Sequence, residues 1–268
     1  MLLEGTTALV TGIGPGMGRD IALALAVQGA DLVLVARSDK VMPDVAKEVE
    51  ALGRRAIQVQ ANIAKVEDCR HVAEVVGAEV GALDILVNSA FHGGDSSPFE
   101  TADLAKWRRP IDINYFGTLQ LTQSVLPSLK RAGTERGDAR IVMINTMSVQ
   151  MIEENAGAYA GSKAALGAVT KTLARELGRD GIRVNAIHPG YIWGDSVKIY
   201  FEWQAEARGG AVTWQDIYDE RAAETCLKYL PHSSEIAGAV VFFASPLSKC
   251  VTGTALPVNA GHWLPPSA

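Results

Sequence analysis

Short apolar runs alternate with longer segments of helical periodicity along most of the chain. The runs are rich in valine, isoleucine and leucine, which is typical of strands buried on both faces of a sheet. Strands are predicted at residues 7–10, 31–35, 56–60, 85–88, 140–145 and 183–187. Helices are predicted between them at residues 17–28, 41–52, 66–80, 111–131 and 156–178. This alternation indicates the α/β class, with a parallel sheet covered by helices on both faces.

A further helix and strand are predicted near the end of the chain. The helix begins at Ser233, with that serine as its N-cap and Glu235 just inside the first turn. The apolar segment 256–261 follows as a strand at the edge of the sheet. Because no repeat or linker interrupts the pattern, we expect one doubly wound domain of about seven strands over residues 1–268.

Composition and charge narrow the classes of function. With 48% hydrophobic and 21% charged residues, the chain has the profile of a folded protein with a sizeable core. A net charge of −5 argues against nucleic acid as a general partner. The N-terminus is too short and too acidic for a signal peptide, and no apolar run reaches ~18 residues, so we expect no membrane attachment. The three cysteines are scattered and the five histidines form no cluster, which favours a cytoplasmic location and no metal site.

A glycine-rich turn joins the first predicted strand to the first predicted helix. Its sequence is Thr11-Gly12-Ile13-Gly14-Pro15-Gly16-Met17-Gly18. Glycine lets the backbone turn sharply and approach a pyrophosphate, which then lies at the positive N-terminus of the helix. A merely tight turn is the alternative, but the position between strand and helix favours a dinucleotide phosphate site.

Tyr159 and Lys163 are four residues apart, so on a helix they lie on the same face. An ammonium beside a phenol stabilises the phenolate and lowers its pKa from a reference value of about 10. A shift to about 7 needs roughly 4 kcal/mol of stabilisation. Taken alone, this spacing is more often an ordinary helix surface than a site.

Together these motifs resemble the short-chain dehydrogenase/reductase family in its compact single-domain form. The glycine turn has that family's T-G-x-x-x-G-x-G spacing, and Tyr159-x-x-x-Lys163 matches its catalytic pair. The resemblance covers almost the whole chain, residues 3–261. It implies a Rossmann-type fold, a nicotinamide cofactor, hydride transfer to or from a carbonyl or secondary alcohol, and a homo-oligomer, either tetramer or dimer.

The resemblance assigns one set of residues to the cofactor. They are Gly12, Ile13, Gly16, Met17 and Gly18 in the turn, Asn62 and Ile63 after the third strand, Asn88, Ser89 and Ala90 at the fourth, Tyr159 and Lys163 at the ribose, and Pro189, Gly190 and Ile192 at the nicotinamide. Asn62 stands where the family usually has an acid at the adenine, but its amide keeps an acceptor oxygen. Ser89 and Phe91 depart from the family's N-N-A-G pattern.

The end of the second predicted strand favours NADP over NAD. An NAD site usually has an acid there to bind the ribose hydroxyl. This chain has Ala36 instead, followed by Arg37 and Ser38. A guanidinium binds a 2′-phosphate through paired, charge-assisted hydrogen bonds. We therefore expect NADP, with NAD as the second choice if Arg37 is only a solvated surface residue.

The resemblance also implies the catalytic residues. Tyr159 is expected to protonate the substrate oxygen, while Lys163 lowers the tyrosine pKa and binds the ribose. The family's serine lies thirteen residues before the tyrosine, and Thr146 stands there in this chain, with Ser148 as the alternative. Threonine keeps the hydroxyl that polarises a carbonyl. Asn114 matches the family's asparagine, which bends the central helix and holds a water linked to the lysine.

Residues 191–231 form the predicted substrate lid and hold 8 of the 17 aromatic residues of the chain. Within them, residues 197–204 have the pattern of an amphipathic helix. One interpretation is a pocket for a bulky apolar or aromatic substrate. Packing of the lid or contact between subunits is equally consistent with the pattern. Gly194 stands where the family often has a threonine.

The sequence therefore predicts an NAD(P)-dependent oxidoreductase that acts on a small-molecule carbonyl or alcohol by hydride transfer. A non-catalytic NADP-binding sensor or interaction module is the alternative, motivated by Thr146, Phe91 and Gly194 at atypical positions. The intact pair of Tyr159 and Lys163 disfavours that alternative, because a sensor has little need of both.

Overall fold

Seven parallel strands form the centre of the structure, a computed structural model that describes residues 1–264. The strands are β1 (Thr7–Thr11), β2 (Asp31–Ala36), β3 (Ala56–Gln60), β4 (Ile85–Asn88), β5 (Ala139–Ile144), β6 (Ile182–Pro189) and β7 (Ala255–Val258). Their order is β3-β2-β1-β4-β5-β6-β7, and all neighbouring pairs are parallel. The predicted doubly wound α/β fold is confirmed. The end of the predicted domain, residues 265–268, lies outside the described part of the chain.

Helices connect successive strands and cover the sheet. They are α1 (Met17–Val27), α2 (Met42–Ala51), α3 (Val66–Glu79), α4 (Leu104–Pro110), α5 (Thr118–Arg136), α6 (Gly157–Leu177), α7 (Asp195–Ala207), α8 (Trp214–Glu224) and α9 (Ser233–Ala244). The strands β1 to β6 and the helices α1, α2, α3 and α6 begin and end within two residues of their predicted positions.

The sheet is buried between two layers of helices. Successive side chains of a strand point to opposite faces, so Leu9 and Val10 of β1 belong to different cores. Val10 shares its core with α1, α2 and α9, while Leu9 shares its core with α3, α5 and α6. Complete burial of one such side chain contributes about 1.5–3 kcal/mol. Both faces must therefore be apolar, which explains the continuous Val/Ile/Leu runs of the sequence.

The central helical segment begins earlier than the predicted range 111–131. Oδ1 of Asp103 caps α4 by accepting the N–H of Ala105 at 2.9 Å. A π-helix, Ile111–Gly117, then joins α4 to α5 without a break. Pro110 has no N–H, so the α-helical hydrogen bonds are interrupted where the π-helix begins. The predicted start was wrong because the capping residue lies upstream of the proline.

The cap of α9 also differs from the prediction. Ser233 is the first helical residue, and its hydroxyl donates to the carboxylate of Asp20 in α1. The residue at the N-cap position is His232, whose N–H donates to Oε2 of Glu235 at 2.8 Å. Ser233 therefore joins two helices of the same layer instead of capping its own.

Residues 191–231 form a helical insertion whose two ends meet. The N–H of Trp193 donates to the carbonyl oxygen of Pro231 at 2.8 Å. The helices α7 and α8 bury Phe201 and Ile217 in a small core of their own. Trp193 also stacks on Trp214, with 5.6 Å between the ring centroids. Much of the aromatic content of the lid therefore serves its internal packing.

None of the helices between residues 1 and 264 is long and apolar enough to cross a membrane. Over the same residues, no group of three or more histidine, cysteine, aspartate or glutamate side chains is placed to hold a metal ion.

Candidate active site

The loops that carry the predicted site residues all leave the sheet at the carboxyl ends of the parallel strands. The chain reverses its direction of progress across the sheet between β1 and β4. A crevice forms at such a point because the two connecting segments diverge to opposite faces. The glycine turn follows β1, and the segment that contains Ser89 and Ala90 follows β4. The predicted phosphate turn and the predicted nicotinamide side thus border one crevice.

Two glycines of the turn are required by close backbone contacts. Gly12 has φ +75°, and a Cβ there would lie 2.7 Å from Cα of Ala90. A Cβ on Gly18 would lie 2.2 Å from the carbonyl oxygen of Gly12. Neither contact leaves room for a side chain, so these glycines allow α1 to pack closely on the end of β1.

The two other glycines of the turn are free of such contacts. A Cβ on Gly14 would have only an ordinary contact of 3.9 Å, and one on Gly16 would meet no described atom within 4 Å. Gly16 is also the N-cap of α1 and has no side chain to satisfy the first N–H groups of that helix. Open space in front of unsatisfied N–H groups is suited to a pyrophosphate. The turn therefore fits the predicted dinucleotide.

Arg37 and Ser38 lie exposed just beyond β2. Within residues 1–264, the guanidinium of Arg37 forms no salt bridge. Arg19, in contrast, is bound by Glu48 and by Asp20, the latter at 3.1 Å. Of these two arginines near the turn, Arg37 is the one whose charge is free to meet an anionic group.

Asn62 and Ile63 follow β3 and are fixed by local contacts. Oδ1 of Asn62 accepts the N–H of Ala64 at 3.2 Å, and the N–H of Asn62 donates to Oδ2 of Asp68 at 2.7 Å. Ile63 is buried, and a Cβ on Gly117 would lie 2.8 Å from its carbonyl oxygen. The π-helix and the segment after β3 are therefore in direct backbone contact. An amide oxygen has two lone pairs, so Asn62 keeps one acceptor position.

The segment after β4 is held by Thr11, which the sequence-based assignment did not include among the site residues. Oγ1 of Thr11 accepts the N–H of Ser89 at 2.9 Å and that of Ala90 at 3.0 Å. Nδ2 of Asn88 donates to Oγ1 of Thr122 at 3.1 Å. In the sequence, the signal for this role is the threonine that directly precedes Gly12 at the start of the glycine turn.

Asn114 lies at the middle of the π-helix and is completely buried. Its Oδ1 accepts the N–H of His92 at 2.7 Å, and its Nδ2 donates to the carbonyl oxygen of His92 and to Oγ of Ser162, each at 2.9 Å. Oγ of Ser162 in turn donates to the carbonyl oxygen of Tyr159 at 2.7 Å. Asn114 thus links the segment after β4 to the helix that carries the predicted catalytic pair.

Lys163 is buried in α6, and its Nζ donates to the carbonyl oxygen of Ile144 at 2.7 Å. Burial lowers the pKa of Lys163 to about 7. Burial likewise raises the pKa of Tyr159 above its usual value, and only the hydrogen bond with Thr146 opposes that rise. The sequence led us to expect that Lys163 lowers the tyrosine pKa, whereas in this structure the pKa of Tyr159 is raised. Burial dominates there, and the ammonium is bound to the end of β5.

Thr146 and Ser148 lie together in the turn after β5. Oγ1 of Thr146 donates to Oγ of Ser148 at 3.1 Å, and the N–H of Ser148 donates to Oγ1 of Thr146 at 3.2 Å. Asn145 orients this turn, because its Oδ1 accepts the N–H of Thr146 at 3.0 Å and its Nδ2 donates to the carbonyl oxygen of Lys163 at 3.1 Å. A hydrogen bond with Thr146 also acts to lower the pKa of Tyr159, whereas none with Ser148 does within the described residues. Asn145 was not identified from the sequence.

Pro189, Gly190 and Ile192 lead from β6 into the lid. A Cβ on Gly190 would lie 2.9 Å from Cβ of Asn259 and 3.2 Å from Sδ of Met147. This contact brings the ends of β6 and β7 close to the turn after β5. Ile192 packs against the core beside α1.

Three residues, Glu153, Tyr191 and Arg221, connect the lid to the turn after β5, and we call them the lid clamp. The hydroxyl of Tyr191 donates to Oε1 of Glu153 at 2.9 Å. The guanidinium of Arg221 in α8 lies over the tyrosine ring, 5.7 Å from its centroid. Burial and the carboxylate of Glu153 raise the pKa of Tyr191, which keeps its hydroxyl a hydrogen-bond donor.

Comparison with known proteins identifies the family. A family model described as Enoyl-(Acyl carrier protein) reductase matches residues 12–262, which include the glycine turn from Gly12 onward, the Thr146 turn and the pair of Tyr159 and Lys163. The chain belongs to the short-chain dehydrogenase/reductase family.

Proteins similar to this chain include dehydrogenases and reductases named for several different small molecules. The 7alpha-hydroxysteroid dehydrogenase of Escherichia coli K12 is 31% identical over 259 residues, which cover 97% of this chain and 94% of the relative. Carveol dehydrogenase from Mycobacterium avium, in complex with NAD, has a TM-score of 0.89 at 26% identity and covers 97% of this chain and 98% of its own. L-sorbose reductase from Gluconobacter frateurii, complexed with NADPH and L-sorbose, has a TM-score of 0.89 at 29% identity, with 98% of each chain covered. This short-chain dehydrogenase/reductase is an NAD(P)-dependent oxidoreductase of small molecules.

Proposed function

We propose that this short-chain dehydrogenase/reductase is an NADP-dependent carbonyl reductase or alcohol dehydrogenase with Tyr159 as its proton donor and acceptor. The observation that carries the proposal is the link that Asn145 makes between the Thr146 turn and α6 at the buried Lys163, which accompanies the interaction of Thr146 with Tyr159. A phenol whose pKa is raised by burial keeps its proton at neutral pH, which is the state that a donor needs. The same three residues serve the oxidation of an alcohol when the proton moves in the opposite direction.

The proposed mechanism assigns one task to each residue. A bound nicotinamide supplies the hydride that reduces the carbonyl carbon. The hydroxyl of Thr146 donates to the carbonyl oxygen and stabilises the negative charge that develops on it, with Ser148 as the alternative donor. Tyr159 transfers its proton to that oxygen. A hydroxyl aimed at developing charge in a water-poor site contributes about 3–4 kcal/mol.

Lys163 and Asn114 support the proton transfer in this proposal. An ammonium near the phenol favours the phenolate that Tyr159 becomes after it donates. In its charged form Lys163 has three N–H donors, of which one binds Ile144, so two remain for the ribose of the cofactor. Asn114 holds the backbone of His92 and, through Ser162, the first turn of α6 in fixed positions. We assign to it the support of the proton path.

We assign the preference for NADP to Arg37 and Ser38. Both lie exposed at the end of β2, and Ala36 takes the place where an acid would bind an unphosphorylated ribose. The guanidinium of Arg37 has no salt bridge within the described residues, so it needs no rearrangement to bind a 2′-phosphate. A solvated surface arginine, with NAD as the cofactor, is the competing interpretation.

The proposed substrate is a bulky carbonyl or secondary alcohol with an apolar or aromatic body. Two large apolar side chains support it: Phe91 after β4 is 65% exposed, and Ile152 in the turn after β5 is 71% exposed. Both follow strands whose ends carry the catalytic crevice, where exposed apolar surface suits an apolar ligand. The aromatic residues of the lid support this less, because Trp193, Phe201 and Trp214 pack on one another.

We further propose that the enzyme is a cytoplasmic homo-oligomer, either a tetramer or a dimer. The strand β7 lies at the edge of the sheet, and Leu256 within it and Leu227 beside it expose 38% and 65% of their surface. An open strand edge with exposed leucines is a typical place for self-association. Sedimentation velocity measures the oligomeric state directly.

Steady-state kinetics with a panel of bulky ketones tests the proposed function. The wild type should oxidise NADPH in the presence of at least one ketone, and Tyr159→Phe should reduce kcat by about a hundred- to ten-thousandfold. Tyr229→Phe is the matched control, since its hydroxyl binds Glu235 far along the chain from the site. Full activity in Tyr159→Phe would refute the assigned role. Tight NADPH binding without turnover would instead favour the non-catalytic sensor.

The cofactor preference needs a separate measurement. The wild type should have a higher kcat/KM with NADPH than with NADH. Arg37→Ala should raise KM for NADPH about tenfold or more, because a charge-assisted contact with phosphate is lost. Its kinetics with NADH should change little, which makes NADH the internal control. Equal or better use of NADH by the wild type would refute the preference.

A further inference from the structure

His188 is a buried histidine at the end of β6, and the proposed mechanism gives it no role. Only 3% of its surface is exposed. It directly precedes Pro189 and Gly190, and in the sheet β6 pairs with β5, so His188 lies beside the start of the Thr146 turn. Within the described residues, Nε2 of the imidazole has no hydrogen-bond partner. A buried polar side chain in this place requires an explanation.

The other ring nitrogen of His188 is bound to the turn after β5. Nδ1 lies 2.9 Å from Oε1 of Gln150, and an amide oxygen accepts, so the tautomer with its proton on Nδ1 donates. Gln150 ends the short 3₁₀ turn Met147–Val149, and its N–H donates to the carbonyl oxygen of Met147 at 2.8 Å. His188 thus holds the far end of the turn that begins with Thr146.

The two ends of this turn are fixed by different side chains. Asn145 accepts the N–H of Thr146 at the start, and His188 binds Gln150 at the end. Between them, within the described residues, lie the bonds of the turn itself, the hydroxyl pair of Thr146 with Ser148, and the interaction of Thr146 with Tyr159. Gln150 is exposed to solvent, so without His188 its side chain would be free to move. The direction of the Thr146 hydroxyl depends on both ends of the turn.

We infer that His188 is a positioning residue that acts through Gln150 on the hydroxyl of Thr146. The imidazole remains neutral because burial and the nearby charge of Lys163 lower the pKa of His188 to about 4. A neutral ring on this tautomer has a donor on Nδ1 and a bare acceptor on Nε2, and the donor fixes the turn. Misplacement of a catalytic group by about 1 Å costs up to a hundredfold in rate.

Two kinds of variant test this inference. The kinetic test rests on the proposed function, because it measures the reduction of a ketone. His188→Leu and Gln150→Leu both remove the bond, and each should lower kcat about tenfold while KM for NADPH stays within about twofold. His188→Asn places an amide N–H near the position of Nδ1 and should restore most of the activity. Gln58→Leu, an exposed glutamine of β3, is the matched control and should leave kcat unchanged.

A double-variant cycle separates positioning from general damage. When Thr146→Ala has removed the hydroxyl, addition of Gln150→Leu should cause no further fall in kcat, because the two residues act in series. An additional tenfold fall in that background, or full kcat in Gln150→Leu, would overturn the inference. Gln150→Leu replaces an exposed side chain, so the double-variant cycle can still be measured if His188→Leu does not fold.

Hydrogen exchange provides a measurement that needs no turnover. The amides of Gln150 and Met151 donate to the carbonyl oxygen of Met147 and should exchange about tenfold faster in His188→Leu and Gln150→Leu than in the wild type. His188→Asn should restore the protection. Unchanged exchange in both leucine variants would refute the inference. If the wild type reduced no ketone but these amides exchanged faster, the proposed function would fail while the positioning role stood.

Discussion

The hydroxyl groups of Thr146 and Ser148 are hydrogen-bonded to each other, with 3.1 Å between their oxygens. Thr146 occupies the position where the family has its serine, and it also contacts Tyr159. That bond uses the only proton of the Thr146 hydroxyl, whose oxygen also accepts the N–H of Ser148, so in the proposed mechanism the proton turns from Ser148 to the substrate oxygen when a carbonyl binds. In the proposed mechanism the pair divides two roles: Thr146 donates to the substrate oxygen, and Ser148 supports Thr146.

Substitution of the two hydroxyl residues should have unequal effects. Thr146→Ala should lower kcat about a hundred- to a thousandfold, because it removes the donor aimed at the developing charge. Ser148→Ala should lower kcat less than about tenfold, since only an orienting bond is lost. Thr146→Ser keeps the hydroxyl and is the control. Steady-state kinetics with NADPH and a ketone measures all three, and a larger loss in Ser148→Ala would reverse the assignment.

Replacement of the buried Lys163 should abolish activity and raise the free energy of unfolding. Lys163→Met should be inactive yet more stable to urea at pH 7 than the wild type, by about 1–3 kcal/mol, because a buried group with a strongly lowered pKa opposes folding. The direction of the pH dependence follows from the number of protons that the unfolded and the folded protein each bind. Between about pH 7 and 10 the unfolded chain binds a proton that the folded protein does not, so wild-type stability should rise with pH through this range.

The pH dependence of Lys163→Met is the control for this effect. Without the titrating group, its urea midpoint should rise less between pH 7 and 9 than that of the wild type. An equal rise in both proteins, or a Lys163→Met variant that is less stable at pH 7, would contradict the lowered pKa of the lysine.

Two glycines of the phosphate turn should respond differently to alanine. Gly18→Ala forces a methyl group to within 2.2 Å of the carbonyl oxygen of Gly12, so it should destabilise the fold by about 3 kcal/mol or more. Gly16→Ala adds its methyl group to open space and should fold normally. That methyl group lies where a pyrophosphate would approach, so NADPH should bind about tenfold more weakly. Thermal melts and fluorescence titration with NADPH separate the two effects.

Loss of the lid clamp should affect substrate binding more than chemistry. Tyr191→Phe removes the donor to Glu153, and we expect KM for the ketone to rise about three- to tenfold while kcat changes less. Limited proteolysis within the lid should also accelerate. Tyr200→Phe is a matched control within the lid, since the ring of Tyr200 stacks on Trp203, with 6.1 Å between centroids, and that stacking is kept. Equal KM and equal proteolysis in Tyr191→Phe and the wild type would exclude a clamp.

The regular elements and the outline of the site could be predicted from the sequence because their signals are local. Buried strands must be continuously apolar, and the glycine turn and the spacing of Tyr159 and Lys163 are visible as short patterns. Their carboxyl-end positions then follow from the parallel sheet.

The remaining features depend on contacts between distant residues, which no local pattern encodes. The bond between His188 and Gln150 joins positions 38 residues apart, and that between Thr11 and Ser89 joins positions 78 apart. The raised pKa of Tyr159 is likewise a result of its burial in the folded protein, which the hydrogen bond with Thr146 opposes without cancelling. The spacing of two residues along a helix shows that their side chains are neighbours. It does not show whether burial or a neighbouring charge has the larger effect on the pKa.

The closure of the lid between Trp193 and Pro231 has a consequence for how such enzymes diversify. The chain leaves the sheet and returns to it at one hydrogen-bonded neck, and the segment between has its own apolar core. If these residues cover the substrate as we propose, changes within residues 194–230 alter the surface offered to it, while the helix α6 that holds Tyr159 and the strand β1 before the phosphate turn keep their positions. In the proposed enzyme, the choice of substrate and the transfer of hydride then belong to separate segments of the chain.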